Sequence, residues 1–367
     1  MFGELSLSQG IRVRLINRGK KFASLPGVKH CSFQGTAYTL GEDGVTRFDL
    51  NDRIILDPEK FAQSKPGRRI LLESTEYVMK LNRHLQHSTS YKPATQQLIT
   101  DDDYLIASPV VRGFSISRKS WFEFSLTSVE DVEWDGGAFD RVVLPKHIKH
   151  RLQGMITSHS AATSLLLRNR PTAYKGSGLS IALHGPTGTG KSLTAMAIAE
   201  HLKRPLYSVT TSDLGTDAEF IEENLFEITE LASRWNAILL VEDADLFVEA
   251  RQPHDCHRNA IVSAFLRCMD LHHGVLFLTT RCLVGLDEAF QSRLQLGIDF
   301  DNVAAQERKE IWKYHVSDWE LTEVTEAYVS LCGALLSETD LEELGRECLT
   351  GRQVWLHNVT VSFLTLC

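Results

Sequence analysis

The chain predicts an α/β fold: a parallel sheet with helices on both faces, preceded by a strand-rich module and followed by a helical lid. Three observations over its 367 residues carry this expectation. From residue 179 short apolar runs alternate with helical patterns, which is the signature of a parallel sheet. Before residue 144 the chain reads mostly as strands and turns, and after residue 302 only helical patterns remain. The expected divisions are 1–143, 144–302 and 303–367.

Taken in order, residues 11–16 (Ile-Arg-Val-Arg-Leu-Ile) alternate apolar and basic, as a half-buried strand does. Residues 33–40 and 45–50 flank Gly41-Glu42-Asp43-Gly44 and read as a hairpin. Residues 53–57 continue that pattern. Residues 86–103 are polar, end in three aspartates and predict an exposed loop. Residues 104–116 and 121–126 predict two more strands, with 117–120 as their turn. This module shows no acid, nucleophile or metal constellation, so it reads as a structural or partner-binding β module. Residues 144–170 carry a helical pattern, with Ile148, Leu152 and Ile156 on one face. Strands are then expected at 179–183, 206–210, 237–241, 275–279 and 294–300, with helices at 193–202 and 217–235 between them. Helices are expected at 304–316, 321–335, 340–347 and 352–366.

Composition narrows the partners. Lys plus Arg number 39 against 47 Asp plus Glu, a net charge of −8, which argues against a duplex nucleic-acid binder. No apolar run is long enough to span a bilayer. The first residues lack the basic and apolar regions of a secretion signal. The seven cysteines contain no C-x-x-C pair, which fits reduced thiols. An intracellular, cytoplasmic setting is therefore expected.

The chemistry begins at Gly185-Pro186-Thr187-Gly188-Thr189-Gly190-Lys191-Ser192, followed by Leu193. The string reads G-x-x-x-x-G-K-S, a phosphate-binding P-loop. Its glycines let the backbone N–H groups face one concavity, and the following helix adds partial positive charge there. Lys191 is placed to reach the β- and γ-phosphates, and the Ser192 hydroxyl to ligand Mg²⁺. A chance glycine turn would lack the apolar strand before it and the helix after it. About fifty residues on, the apolar run 237–241 delivers Glu242, Asp243 and Asp245. One acid of such a pair holds Mg²⁺ and the next orients the attacking water. Either can ligand the metal; Glu242 is assigned to Mg²⁺ and Asp243 to water. An exposed acidic turn is the plain alternative. ATP and Mg²⁺ are the expected ligands.

Together these stretches, with Phe277-Leu278-Thr279-Thr280 and the run 286–293 (Leu-Asp-Glu-Ala-Phe-Gln-Ser-Arg), resemble the Walker A, Walker B, sensor 1 and arginine-finger segments of AAA+ ATPases. The resemblance covers about residues 150–367. The segments 104–114, 140–145 and 204–209 are similar to fungal AAA ATPases with an uncharacterised N-terminal region. The resemblance implies ATP binding and hydrolysis, self-association into a ring, and remodelling of a protein client.

It also assigns further residues. Arg293 takes the place of a trans-acting arginine finger, with Arg258 as a second candidate. Arg281 stands where sensor 1 carries Asn, and Thr280 offers a substitute hydroxyl. Arg352, in Gly351-Arg352-Gln353-Val354, resembles sensor 2 of the lid. The plain alternatives are a surface ion pair for Arg293, a solvent-facing side chain for Arg281 and a surface arginine at a helix start for Arg352. Three features depart from the usual pattern. The acidic pair runs Glu then Asp, an order also carried by mitochondrial AAA proteins resembling the Rieske-assembly factor. Sensor 1 has Arg281. The pore-loop position has Leu214 before Gly215, not an aromatic, which weakens a threading mechanism. The first two departures motivate the alternative of a nucleotide-binding scaffold or switch with slow or absent hydrolysis. A small-molecule P-loop kinase fits the lid and the 286–293 segment less well. His254, Cys256 and His257 match no common zinc spacing, and Tyr207 and Trp235 read as core.

Overall fold

The structure, a computed structural model, describes residues 2–25, 27–41, 44–64, 100–169, 178–215, 218–252, 254–281, 286–300, 306, 308–311 and 346. The chain divides into two compact units, Met1–Glu133 and Trp134–Cys367, a seam ahead of the 143/144 boundary expected from the sequence.

The first unit opens on a helix, α1 (Phe2–Ser24), which corrects the strand expected at residues 11–16. The apolar members of that alternation, Ile11 and Val13, are 52% and 56% exposed. Leu15, Arg18 and Phe22, among the partly covered residues, recur at three and four, the spacing of a helix face. Arg18 donates to the Ala107 carbonyl at 2.9 Å and Lys21 to that of Val129 at 2.6 Å. The six-residue alternation was a short piece of a 23-residue helix.

The expected hairpin is present and longer. β1 (Lys29–Gly41) pairs with β2 (Gly44–Leu56) from Lys29↔Leu56 to Gly41↔Gly44. Two short helices follow, α2 (Pro58–Ser64) and α3 (Asp101–Leu105). Most of the loop expected at 86–103 lies outside the described residues. Its three aspartates form the first turn of α3, where carboxylates favour the helix dipole. Tyr104 and Leu105 close that turn and do not open a strand.

β3 (Val110–Ser115) and β4 (Ser120–Ser125) form the second hairpin, β2 pairs with β3, and β4 pairs with β1. The four strands thus close on themselves, with β5 (Val129–Asp131) added along β1. Closure leaves few unpaired edges. The interior is apolar: Phe33, Ile54, Val111, Phe122 and Phe124 are buried, and Phe22 packs against them. The rings of Phe33 and Phe124 meet edge-on at 4.8 Å.

The second unit follows the expected alternation closely. α4 (Lys146–Asn169) buries Leu152 and Ile156. It is followed by β6 (Leu179–His184), α5 (Lys191–His201), β7 (Leu206–Thr210), α6 (Ala218–Arg234), β8 (Ile238–Glu242), α7 (Cys256–Leu271), β9 (Val275–Thr280) and β10 (Leu296–Asp299). The strands are all parallel, in the order β10-β6-β9-β8-β7. Strand side chains alternate between faces. Ile181, Leu183, Ile238, Leu240, Val275 and Phe277 pack with α4 and α5 on one face. Leu239, Val241, Leu276 and Leu278 are buried on the other, where α6 packs on α7 and β8. Tyr207 and Trp235 are core residues as expected, each 5% exposed.

Of the lid expected over 303–367, residues 306, 308–311 and 346 are helical. The rest, Arg352 included, lies outside the described residues. Among the described residues no helix is long and apolar enough to cross a membrane.

Candidate functional site

The site forms where the parallel strands end, because helices cover both faces of the sheet and leave its carboxyl edge open. β6 delivers the chain to Gly185, at φ +141°. A Cβ there would meet the Phe300 carbonyl at 2.1 Å, so only glycine fits. The Gly185 N–H donates to the Thr280 carbonyl at 3.2 Å, tying the loop to β9. Pro186 and Thr187 are exposed, and the Thr189 hydroxyl donates back to the Pro186 carbonyl at 2.9 Å. Gly188 and Gly190 have φ of +81° and +97°. Gly190 stands immediately before α5. The first N–H groups of α5 lack partners within their helix and suit an anion.

Lys191 is 8% exposed, and its ammonium donates to the carbonyls of Gly185 at 2.7 Å and Pro186 at 2.6 Å. Burial lowers its pKa; Asp243 and Asp245 act the other way, and Arg281 adds to the lowering. The cation is held by two carbonyls beside a loop of N–H donors. Phosphate oxygens are stronger acceptors for it than peptide carbonyls.

The acidic segment arrives from β8, two strands away. Ser192 Oγ donates to Glu242 Oε2 at 2.9 Å across fifty residues of sequence. Ser208, on β7, donates to Glu242 Oε1. Asp243 takes a left-handed conformation, φ +49°, which aspartate tolerates better than most residues. Its N–H donates to Thr279 Oγ1 at 3.0 Å, and Asp243 itself is exposed. Hydroxyl and carboxylate oxygens form the set that Mg²⁺ prefers. The residues present therefore fit a Mg²⁺–nucleotide.

Asp245 has a part that sequence reasoning did not assign. Its Oδ1 accepts from the Thr280 hydroxyl at 2.7 Å and from the Arg281 N–H at 3.0 Å. It fastens the end of β9 to the acidic turn. The Glu-Asp-Ala-Asp string was the available signal. Thr280, expected as a substitute water-orienting hydroxyl, is 3% exposed and gives that hydroxyl to Asp245. Arg281 is exposed beyond β9.

Both arginine-finger candidates are engaged within the chain. Arg293 forms a fork to Asp270 at 2.7 and 2.9 Å and donates to the Ala289 carbonyl at 2.7 Å. Arg258 pairs with Glu249. Leu214, at the expected pore-loop position, is fully buried in a helical turn (Thr211–Leu214). It is a core residue and presents nothing for gripping a chain.

A cavity of about 1180 Å³ is lined by residues 188–193 of the loop and α5, by Glu242, and by an apolar wall that includes Val143, Ile148 and Met196. Leu193 and Met196 are 60% and 47% exposed on that side of α5. Apolar walls beside a few convergent polar groups suit a flat ring joined to a charged tail.

Residues 181–302 match the family "ATPase family associated with various cellular activities (AAA)". The chain is 28% identical over 161 residues to vacuolar protein sorting-associated protein 4 of Dictyostelium discoideum, covering 41% of this chain and 36% of the relative. It is 26% identical over 147 residues to the protein SUPPRESSOR OF K(+) TRANSPORT GROWTH DEFECT 1 of Arabidopsis thaliana, covering 37% and 33%. It is 24% identical over 181 residues to an ATPase family AAA domain-containing protein 3A homolog of Drosophila melanogaster, covering 47% and 29%. The aligned stretch spans about a third of the length of each of these relatives. Residues 181–302 are thus similar to AAA domains, and the P-loop lies within that stretch.

Proposed function

We propose that the chain hydrolyses ATP and uses the cycle to remodel a protein client, working as a self-associated ring. The observation that carries this is the meeting of Lys191, Ser192, Glu242 and Asp243 at one sheet edge, with Ser192 and Glu242 in contact at 2.9 Å. In this reading Lys191 exchanges its carbonyl partners for the β- and γ-phosphates. Gly185, Pro186, Thr187, Gly188, Thr189 and Gly190 wrap the phosphate chain with backbone N–H groups. Ser192 and Glu242 hold Mg²⁺, which when bound neutralises charge on the phosphates. Asp243 orients the attacking water and accepts its proton, giving ADP and phosphate. Leu193 and Met196 lie along the base.

Arg281 contributes positive charge at the end of β9. Arg293 leaves Asp270 for a neighbouring subunit's nucleotide, and Arg352 acts from a helical lid over 303–367. We take the region to residue 143, with its closed sheet, as the module that meets the client, and the region 144–302 as the motor. The burial of Leu214 favours remodelling without threading past that loop. Free thiols at Cys31, Cys256 and Cys268 favour an intracellular setting. A second reading, a nucleotide-gated scaffold with slow turnover, is favoured by the Arg293–Asp270 fork, which keeps the finger at home.

Phosphate release by the wild-type chain and by Lys191→Ala separates these readings. The enzyme reading expects release to rise with protein concentration and to fall about 10²–10³-fold in the variant, the usual cost of removing one transition-state charge donor. Tight ATP binding with no release at any protein concentration would sink the enzyme reading and leave the scaffold.

A further inference from the structure

Glu242 poses a geometric problem that the chain answers from a neighbouring strand. A glutamate at the end of β8 carries one more rotatable bond than an aspartate. Its carboxylate can sweep through positions separated by about the length of a C–C bond, roughly 1.5 Å. Misplacement of about 1 Å is enough to cost a site much of its effect. Something must fix that carboxylate.

The pairing of β7 with β8 shows what does. Thr210 lies directly alongside Glu242, and Ser208 lies alongside Leu240, two residues back. Thr210 is spoken for: its hydroxyl donates to Asp213 at 2.7 Å, capping the helical turn that follows. Ser208, the diagonal neighbour on the same face, donates to Glu242 Oε1, while Ser192 donates to Oε2 at 2.9 Å. Each carboxylate oxygen thus has its own hydroxyl. Diagonal neighbours in a sheet stand far enough apart that only a longer side chain bridges them. The extra methylene of Glu242 supplies that reach.

We propose that Ser208 is the positioning residue for Glu242, holding one oxygen of its carboxylate so that the other stays beside Ser192 and ready for Mg²⁺. The inference rests on the Mg²⁺–nucleotide reading above. It makes Glu242 and Ser208 a matched pair: the reversed acidic order works in this chain because β7 offers a hydroxyl at that diagonal.

The test is the binding of a fluorescent ATP analogue titrated with Mg²⁺ and repeated in EDTA. It uses the full chain, Ser208→Ala, Ser208→Thr, Glu242→Asp and the Ser208→Ala/Glu242→Asp double variant. We expect Ser208→Ala to raise the Mg²⁺ concentration for half-maximal enhancement about tenfold, the usual scale for removing a partner that orients a metal ligand. Affinity in EDTA should stay unchanged, which also reports an intact fold, and Ser208→Thr should recover most of the loss. In the Glu242→Asp background, where the shorter carboxylate falls short of β7, Ser208→Ala should add nothing. An equal loss with and without Mg²⁺, or an undiminished loss in the Glu242→Asp background, would overturn the pairing while leaving the ATP site standing. Absence of any Mg²⁺ enhancement in the wild-type chain would remove both the site reading and this inference.

Discussion

The closed antiparallel sheet β1–β5 and the open parallel sheet β6–β10 bury similar aromatic and aliphatic interiors, yet they dispose of their polar groups differently. In the closed sheet partly buried charge is matched across strands at one pair. Arg112 sits opposite Glu123 in register, 3.6 Å between charged atoms. Burial pushes Glu123 up and Arg112 down, and their mutual attraction opposes both shifts. The parallel sheet cannot do this at its carboxyl edge, where strands end together and the chain must turn away. Its unspent N–H groups, a half-held lysine and a run of carboxylates gather there instead. Its amino end is sealed: His272, between α7 and β9, is 1% exposed and neither ring nitrogen makes a hydrogen bond of ordinary geometry. Sites arise where a fold cannot finish satisfying itself.

The sharpest way to break the contrast is Phe33→Ala. Phe33 is fully buried against Phe124 in the closed sheet. The substitution should cost about 3–5 kcal/mol. Hydrogen exchange should rise in β1–β4, while ATP binding and exchange in β6–β9 stay as they were. Loss of ATP binding would show that the two sheets do not act separately.

A smaller effect probes the sealed end. Burial pushes the His272 imidazole down to about 4; the Val275 peptide pulls against it, and the charges of His273, His159 and Arg204 add smaller pushes downward. The unfolded chain binds that proton near the ordinary value of about 6.5. Between those values the unfolded state holds more protons, so stability rises with pH. The contribution is complete above about 6.5 and is lost as pH falls toward 4. The loss is on the order of 3 kcal/mol. Exchange protection of β9 should weaken across that window, and His272→Leu should flatten the dependence. An acid response unchanged in the variant would place the sensitivity elsewhere. The smallest effect belongs to Arg12 and Asp102, an ion pair 57% and 79% exposed. Arg12→Ala should change stability by less than about 1 kcal/mol, measured by thermal melting.

How much was legible follows the range of the interactions. The P-loop was read in full, because its glycines, lysine and serine are neighbours and their geometry is set by the backbone between β6 and α5. The hairpin around Gly41 and Gly44 was readable for the same reason. Residues 11–16 were misread because a short alternation cannot reveal which face of a longer segment will be covered. The quiet role of Asp245 was hidden because its partners, Thr280 and Arg281, come from another strand.

The sequence by itself determined the strand–loop–helix of the P-loop, the alternation that builds a parallel sheet, and the acidic pair at the end of β8. Each is encoded in consecutive residues. Tertiary structure alone decided that Leu214 is core, that Arg293 forks to Asp270, and that Ser208 reaches Glu242 diagonally. Those outcomes depend on strand order and register, which bring together residues separated by 34 positions in the Ser208–Glu242 pair. No local pattern carries that information, because it exists only once the strands lie side by side.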